Sequence, residues 1–141
     1  MQRLIVLGST GSIGRQTLDV VREFPNEFQV VGLAGGYNID LLCEQVEEFR
    51  PDYLYCAASH SNLQTTGVDF LSMEEMVCQT NVDTVMVATS GQAGLAPTLK
   101  ALTSKKSVAL ANKEVIVMAG ELIMRTAQEN DTAILPVDSE P

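Results

Sequence analysis

Basic residues are scarce: nine Lys and Arg stand against eighteen Asp and Glu in 141 residues, a net charge of −9. Nucleic acids and anionic membranes need clustered cations, so the balance argues against both as partners, and any phosphate ligand has to be held locally. Cysteine is scarce too. Cys43, Cys56 and Cys78 are odd in number and lack CxxC spacing, which excludes a disulfide framework or zinc ribbon and leaves buried, inert thiols. Long apolar runs are missing, because stretches such as Leu4–Leu7 and Val85–Ala88 fall far short of the roughly 20 residues of a membrane helix. Low-complexity tracts are missing as well, which excludes global disorder. Met1-Gln2-Arg3 leads straight into an apolar run that ends at a glycine turn, leaving no room for a signal peptide, so the expectation is a cytoplasmic protein. The length suits one domain and leaves no space for a second.

What is present alternates between strand and helix patterns. Leu4–Leu7, Gln29–Ala34, Tyr53–Cys56, Thr84–Ala88, Ser107–Leu110 and Thr132–Val137 read as six strands. Ile13–Glu23, a segment capped by Asn38 or Asp40 and running to Phe49, Ser72–Gln79, Gly94–Ser104 and Val115–Asn130 read as helices. Ser72 with Glu75 forms a capping-box pattern, Pro97 is tolerable in a first turn, and Gly120 weakens the last helix. The stretch Ala57–Asp69 fits no element. Such alternation with short connections predicts right-handed crossovers and an α/β fold, a Rossmann-like doubly wound parallel sheet of strand order 3-2-1-4-5-6. Ligands of these sheets sit beyond the carboxyl ends of the strands. The segments to watch are therefore Gly8–Gly14, Gly35–Asn38, Ala88–Gly91, Ala111–Glu114 and Asp138–Glu140.

Gly8-Ser9-Thr10-Gly11-Ser12-Ile13-Gly14 is a variant of the dinucleotide fingerprint, standing between a strand and a helix as that motif requires. Gly8 permits the turn, Gly11 lets backbone amides approach a pyrophosphate, and Gly14 lets the helix pack closely. The helix N-terminus, with about half a positive elementary charge, is the local anion site an acidic chain otherwise lacks. Thr10 and Ser12 add hydroxyl donors. The second strand ends in Ala34-Gly35-Gly36-Tyr37-Asn38, with no carboxylate to repel a 2′-phosphate and no Lys or Arg between Arg22 and Arg50. NADP is favoured modestly, held by the amides near Gly36 and by Asn38, whose plainer role is a helix cap.

Lys113, after the fifth strand, either directs its ammonium into the crevice or is an ordinary solvated lysine. Asn112 and Glu114 either reach a nicotinamide ribose or simply begin the next helix. Asp138 and Glu140, two apart, share a face if the strand stays extended, and two such carboxylates suit Mg²⁺ or Mn²⁺; otherwise they are a charged tail. His60 lies away from every expected strand end and reads as a surface residue.

Taken in order, Gly8-Ser-Thr-Gly-Ser-Ile-Gly14, Gly94-Leu-Ala-Pro-Thr98, Leu110-Ala-Asn-Lys-Glu114 and Leu135-Pro-Val-Asp-Ser-Glu140 resemble the 1-deoxy-D-xylulose 5-phosphate reductoisomerase family. That resemblance implies NADPH- and metal-dependent rearrangement and reduction of 1-deoxy-D-xylulose 5-phosphate to 2-C-methyl-D-erythritol 4-phosphate, a step of isoprenoid precursor biosynthesis. It implies that Thr10, Gly11, Ser12 and Ile13 bind the pyrophosphate region, Gly36 and Asn38 the adenosine end, and Asn112 and Glu114 the nicotinamide side. Lys113, as catalytic residue, would touch the sugar phosphate with Ser139 and Glu140, while Asp138 and Glu140 would ligate Mg²⁺ or Mn²⁺. Two departures stand out: Tyr37 occupies a position often basic in the family, and Pro141 follows the Asp-Ser-Glu triplet where a histidine is common. On this reading residues 1–141 are the NADPH-binding domain, ending at the first metal-ligand motif and cut before the catalytic and C-terminal domains, with a homodimer expected at full length. The isolated chain would then be inactive. The alternatives are another dehydrogenase of the semialdehyde or homoserine type, or a non-catalytic nucleotide-sensing domain. An acyl-forming semialdehyde enzyme would need a nucleophilic cysteine beside a strand end.

Overall fold

In the computed structural model, which describes residues 1–57 and 67–137, the strands form one sheet. The elements in chain order are β1 (Gln2–Leu7), α1 (Ser12–Glu23), β2 (Phe28–Gly35), α2 (Ile39–Phe49), β3 (Tyr53–Cys56), β4 (Asp69–Phe70), α3 (Met73–Val77), β5 (Thr84–Val87), a 3-10 turn (Gly91–Gly94), α4 (Leu95–Thr103), β6 (Ser107–Leu110), α5 (Lys113–Glu129) and β7 (Ile134–Pro136). All pairings are parallel, in the order β4-β3-β2-β1-β5-β6-β7. The six expected strands take their expected order, and the two-residue β4 adds an edge the sequence pattern does not reveal.

The apolar run of β1 is explained by its two faces. Leu4 and Val6 pack with Leu18, Val21, Leu42 and Val46 of α1 and α2, whereas Ile5 and Leu7 pack with Met76, Ala101, Leu102, Val115 and Ile123 of α3, α4 and α5. Alternate side chains point to opposite faces, so a strand covered on both sides has to be apolar throughout. Three helices start on side-chain caps, the first two of them expected from the sequence. Asn38 Oδ1 accepts from Leu41 N–H (3.3 Å), Ser72 and Glu75 close both bonds of the capping box (3.1 and 3.0 Å), and Asn112 Oδ1 accepts from Val115 N–H (3.1 Å).

The last of these corrects the sequence reading, because a cap at Asn112 starts α5 at Lys113, two residues before the first apolar position. Ala119, next to Gly120, breaks the helical dihedrals (φ −139°, ψ 22°) where propensity is weakest. The helix expected over Gly94–Ser104 is α4, preceded by the 3-10 turn, with Pro97 in the first turn, where its missing N–H costs nothing. Of the thiols, Cys56 is buried but Cys43 and Cys78 are only half-buried, and all three are free. Among the described residues no helix is long and apolar enough to cross a membrane.

At the amino end of the sheet Arg3 ties β1 to the start of β5. Its guanidinium donates to both Asp83 oxygens (3.0 and 3.1 Å), and its backbone N–H donates to Oδ2 (2.9 Å). These bonds from Arg3 hold the Asp83 carboxyl down at about 2. An unfolded Asp titrates near roughly 3.9, so this contribution is present above that pH and is lost as pH falls toward about 2. Asp83→Asn should therefore destabilise the protein at neutral pH, with the variant and parent unfolding curves converging in acid. A constant difference from pH 7 to pH 2 would show that the carboxylate is not responsible.

Candidate functional site

Where β1 ends the chain turns at Gly8, whose φ of +87° is left-handed and whose missing Cβ would lie 2.5 Å from the Ala88 carbonyl oxygen. Only glycine meets both conditions. The Gly8 and Ser9 amides donate to one acceptor, the Ala34 carbonyl (2.8 and 3.0 Å), which fixes the turn to the end of β2. A Cβ on Gly14 would lie 2.1 Å from the Gly8 carbonyl oxygen, so α1 rests directly on the turn. Gly11 differs, because its Cβ would meet only Gly8 O at an ordinary 3.5 Å. Packing of the protein does not require glycine there, whereas close approach of a ligand would.

Helix α1 has no side-chain cap and no acidic residue in its first turn. The Gly11 amide bonds to Gly8 O and the Arg15 amide to Gly11 O, so the intervening amides of Ser12, Ile13 and Gly14 have no partner within the helix. They are ready-made donors for an anion.

This turn forms one wall of a crevice of about 760 Å³ along the carboxyl edge of the sheet. Thr10, Gly11, Ser12 and Ile13 line it from α1 and its approach, Gly35, Gly36 and Tyr37 from the end of β2, Ala88, Thr89 and Ser90 from β5, and Ala111 from β6. A Cβ on Gly36 would meet nothing within 4 Å, and the Tyr37 side chain is 81% exposed. Thr89 Oγ1 is buried beside Gly94, with no hydrogen-bond partner among the described residues. The end of β3 contributes Tyr55 and Ala57, and α3 contributes Met73. Sequence reasoning missed these three. Tyr55 was recoverable as the residue near the carboxyl end of a recognised strand, whereas Ala57 opens the stretch that fits no element and Met73 begins a helix that follows no expected strand end.

The other expected residues are placed as follows. Asn38 is exposed beside the crevice with its carbonyl oxygen occupied as the α2 cap. Asn112 is 2% exposed, caps α5 and donates to the Gly91 carbonyl (2.7 Å), so its side chain clamps two loops just behind Ala111. Lys113 and Glu114 open α5, both exposed, and are not part of the crevice wall. Asp138, Ser139, Glu140 and Pro141 lie outside the described residues, as does His60. The Val137 amide still bonds to Leu110 O (2.8 Å), so pairing along β6 continues to the last described residue. Among the described residues no three His, Cys, Asp or Glu side chains gather. Burial, then Asp40 and Glu47, push the Cys43 thiol up, the opposite of what a nucleophile needs.

A sequence model of 1-deoxy-D-xylulose 5-phosphate reductoisomerase matches residues 4–120. A relative of that name from Caldanaerobacter subterraneus is 46% identical, covering 99% of this chain and 39% of the relative. Among solved structures, a DOX-P reductoisomerase in complex with magnesium superposes with a TM-score of 0.91 at 35% identity, over 99% of this chain and 38% of that one. The 1-deoxy-D-xylulose 5-phosphate reductoisomerase from Zymomonas mobilis in complex with NADPH gives 0.86 at 34% identity, over 99% and 39%. The chain thus spans about two-fifths of the length of the curated relatives it matches.

Proposed function

The chain belongs to the 1-deoxy-D-xylulose 5-phosphate reductoisomerase family, and we propose that it is the NADPH-holding part of an enzyme converting 1-deoxy-D-xylulose 5-phosphate to 2-C-methyl-D-erythritol 4-phosphate. The observation that carries this reading is the crevice at the carboxyl edge, with the uncapped start of α1 at its wall. The residues present fit a dinucleotide: the turn at Gly8 and Gly14 is closed by packing, Gly11 and Gly36 are open where a ligand would press, and the first amides of α1 are uncapped.

The backbone amides of Ser12, Ile13 and Gly14 would bind the pyrophosphate, with Thr10 beside them. Gly36 and Asn38 would flank the adenosine end, where the Asn38 amide nitrogen is still available because its oxygen is the cap. Asn112 would act from behind, holding the Gly91 loop and the start of α5 in register for the nicotinamide end, with Glu114 at the rim. Lys113 would present a fixed positive charge to a substrate oxygen, together with Ser139. Asp138 and Glu140 would hold Mg²⁺ or Mn²⁺ as hard oxygen donors. When bound, NADPH supplies a hydride for the reduction, and the metal supplies the Lewis acidity that the rearrangement needs. In the complete enzyme we expect a homodimer in the cytoplasm.

Cofactor choice is testable by titration. With no acid at the end of β2, NADPH should bind more tightly than NADH, and Tyr37→Arg should tighten NADPH by up to about fivefold, as an exposed ion pair contributes up to about 1 kcal/mol. Tighter binding of NADH would overturn the placement of the 2′-phosphate beside Gly36 and Asn38.

A further inference from the structure

The end of β2 carries no cation, but α1 carries two, Arg15 and Arg22, in a cleft that adjoins the crevice. Beside the main crevice, a cleft of about 380 Å³ runs between α1 and α2, lined by Ser12, Arg15, Asp19, Arg22, Leu41 and Gln45 among others. Ser12 lines both spaces, so cleft and crevice meet at the start of α1. On the facing side, Tyr37 lines the crevice and Leu41, whose amide is capped by Asn38, lines the cleft. Arg15 and Leu41, in the first turn of α2, thus line one cleft that adjoins the crevice holding Gly36 and Tyr37.

The two arginines of the cleft differ in what they already hold. Arg22 is engaged by Glu48 (2.6 and 2.7 Å) and by Asp19 (2.7 Å), which also neutralises the acid one helical turn from Arg15. Arg15 makes no ion pair among the described residues. Its Nε–H donates to the Gly11 carbonyl (3.3 Å), folding the guanidinium back toward the helix start, the direction long helical side chains favour. The terminal amino groups, two planar donors suited to a phosphate, have no acceptor among the described residues.

We propose that Arg15 is a specificity-determining residue that holds the 2′-phosphate of NADPH, supplying from α1 the charge that the Tyr37 position lacks. The proposal rests on the dinucleotide reading of the crevice and extends it. It also explains how an acidic chain selects the more highly charged cofactor without a basic residue after β2.

The test is titration of the purified protein with NADPH, NADH, 2′,5′-ADP and 5′-AMP, before and after Arg15→Gln, with Arg15→Lys as the charge-preserving variant. Arg15 is exposed, so melting temperatures should stay within a degree or two of the parent. Arg15→Gln should weaken NADPH and 2′,5′-ADP about tenfold and leave NADH and 5′-AMP unchanged, and Arg15→Lys should recover most of the loss. Equal weakening of all four ligands would place Arg15 at the pyrophosphate or in the fold and overturn the proposal, as would no change in any. If the parent protein bound none of the four, the dinucleotide reading itself would fail and Arg15 with it; if the parent bound all four and Arg15→Gln weakened them equally or not at all, only the role of Arg15 would be overturned.

Discussion

Gly14→Ala is expected to cost about 3 kcal/mol of stability and to abolish nucleotide binding in whatever remains folded. The added Cβ would lie 2.1 Å from Gly8 O, 2.6 Å from Ser9 Cα and 2.8 Å from Gly8 C, all of them backbone atoms that cannot rotate aside. Relief requires either lifting α1 off the sheet or opening the turn. The turn is held by the Gly8 and Ser9 amides on Ala34 O and by the Gln45 amide on Ser9 O (2.9 Å), so opening it breaks bonds to buried groups. Lifting α1 exposes Leu18 and Val21, both buried against the sheet. Either route moves the uncapped amides that face the crevice, so stability and binding should fall together.

Gly11→Ala is the matched control. Its Cβ meets nothing closer than 3.5 Å, and as N-cap with φ −81° it has no need of glycine's freedom. Stability should therefore stay close to that of the parent while NADPH binding weakens, because the methyl would occupy the ligand's approach. Urea unfolding and NADPH titration of both variants separate the effects. A Gly14→Ala protein with parental stability and affinity would mean that the contact between α1 and the turn is not what shapes the site.

The contrast between these glycines also shows what the sequence can disclose. The spacing of Gly8, Gly11 and Gly14 after an apolar run announces strand, turn and helix together, and the two faces of β1 follow from its unbroken Leu4–Leu7. Strand order is legible for the same reason, since right-handed crossovers leave few arrangements for repeated strand-helix units. β4 was not legible, because Asp69 and Phe70 are both exposed and pair through backbone at an edge, leaving no apolar signature. The start of α5 was misplaced because its first residues, Lys113 and Glu114, are polar and only the Asn112 cap marks them as helical. The cleft that joins Arg15 to α2 is not legible either, because Arg15 lies some twenty residues before Tyr37 and meets α2 only through the packing of the two helices.

In an enzyme carrying the whole length of the family, Asp138→Asn combined with Glu140→Gln should remove metal-dependent turnover while leaving NADPH affinity nearly unchanged. β7 still pairs with β6 at Val137, and an extended continuation would set both carboxylates on one side. The sheet order places β7 three positions from β1, roughly 14 Å at the usual strand spacing, and β2 lies further still on the opposite side. Charge removed at the β7 end therefore has little reach to the pyrophosphate or the adenosine end. Lys113→Ala should slow turnover roughly 100- to 1,000-fold with the metal still bound, as expected for losing one fixed charge at a reacting centre. The 141-residue chain alone should bind NADPH and show no turnover, since two carboxylates without further ligands hold Mg²⁺ weakly. Full activity of the double variant in Mg²⁺ or Mn²⁺ would put the metal elsewhere. A fall in NADPH affinity matching the fall in turnover would instead mean that the two sites are not independent across the sheet.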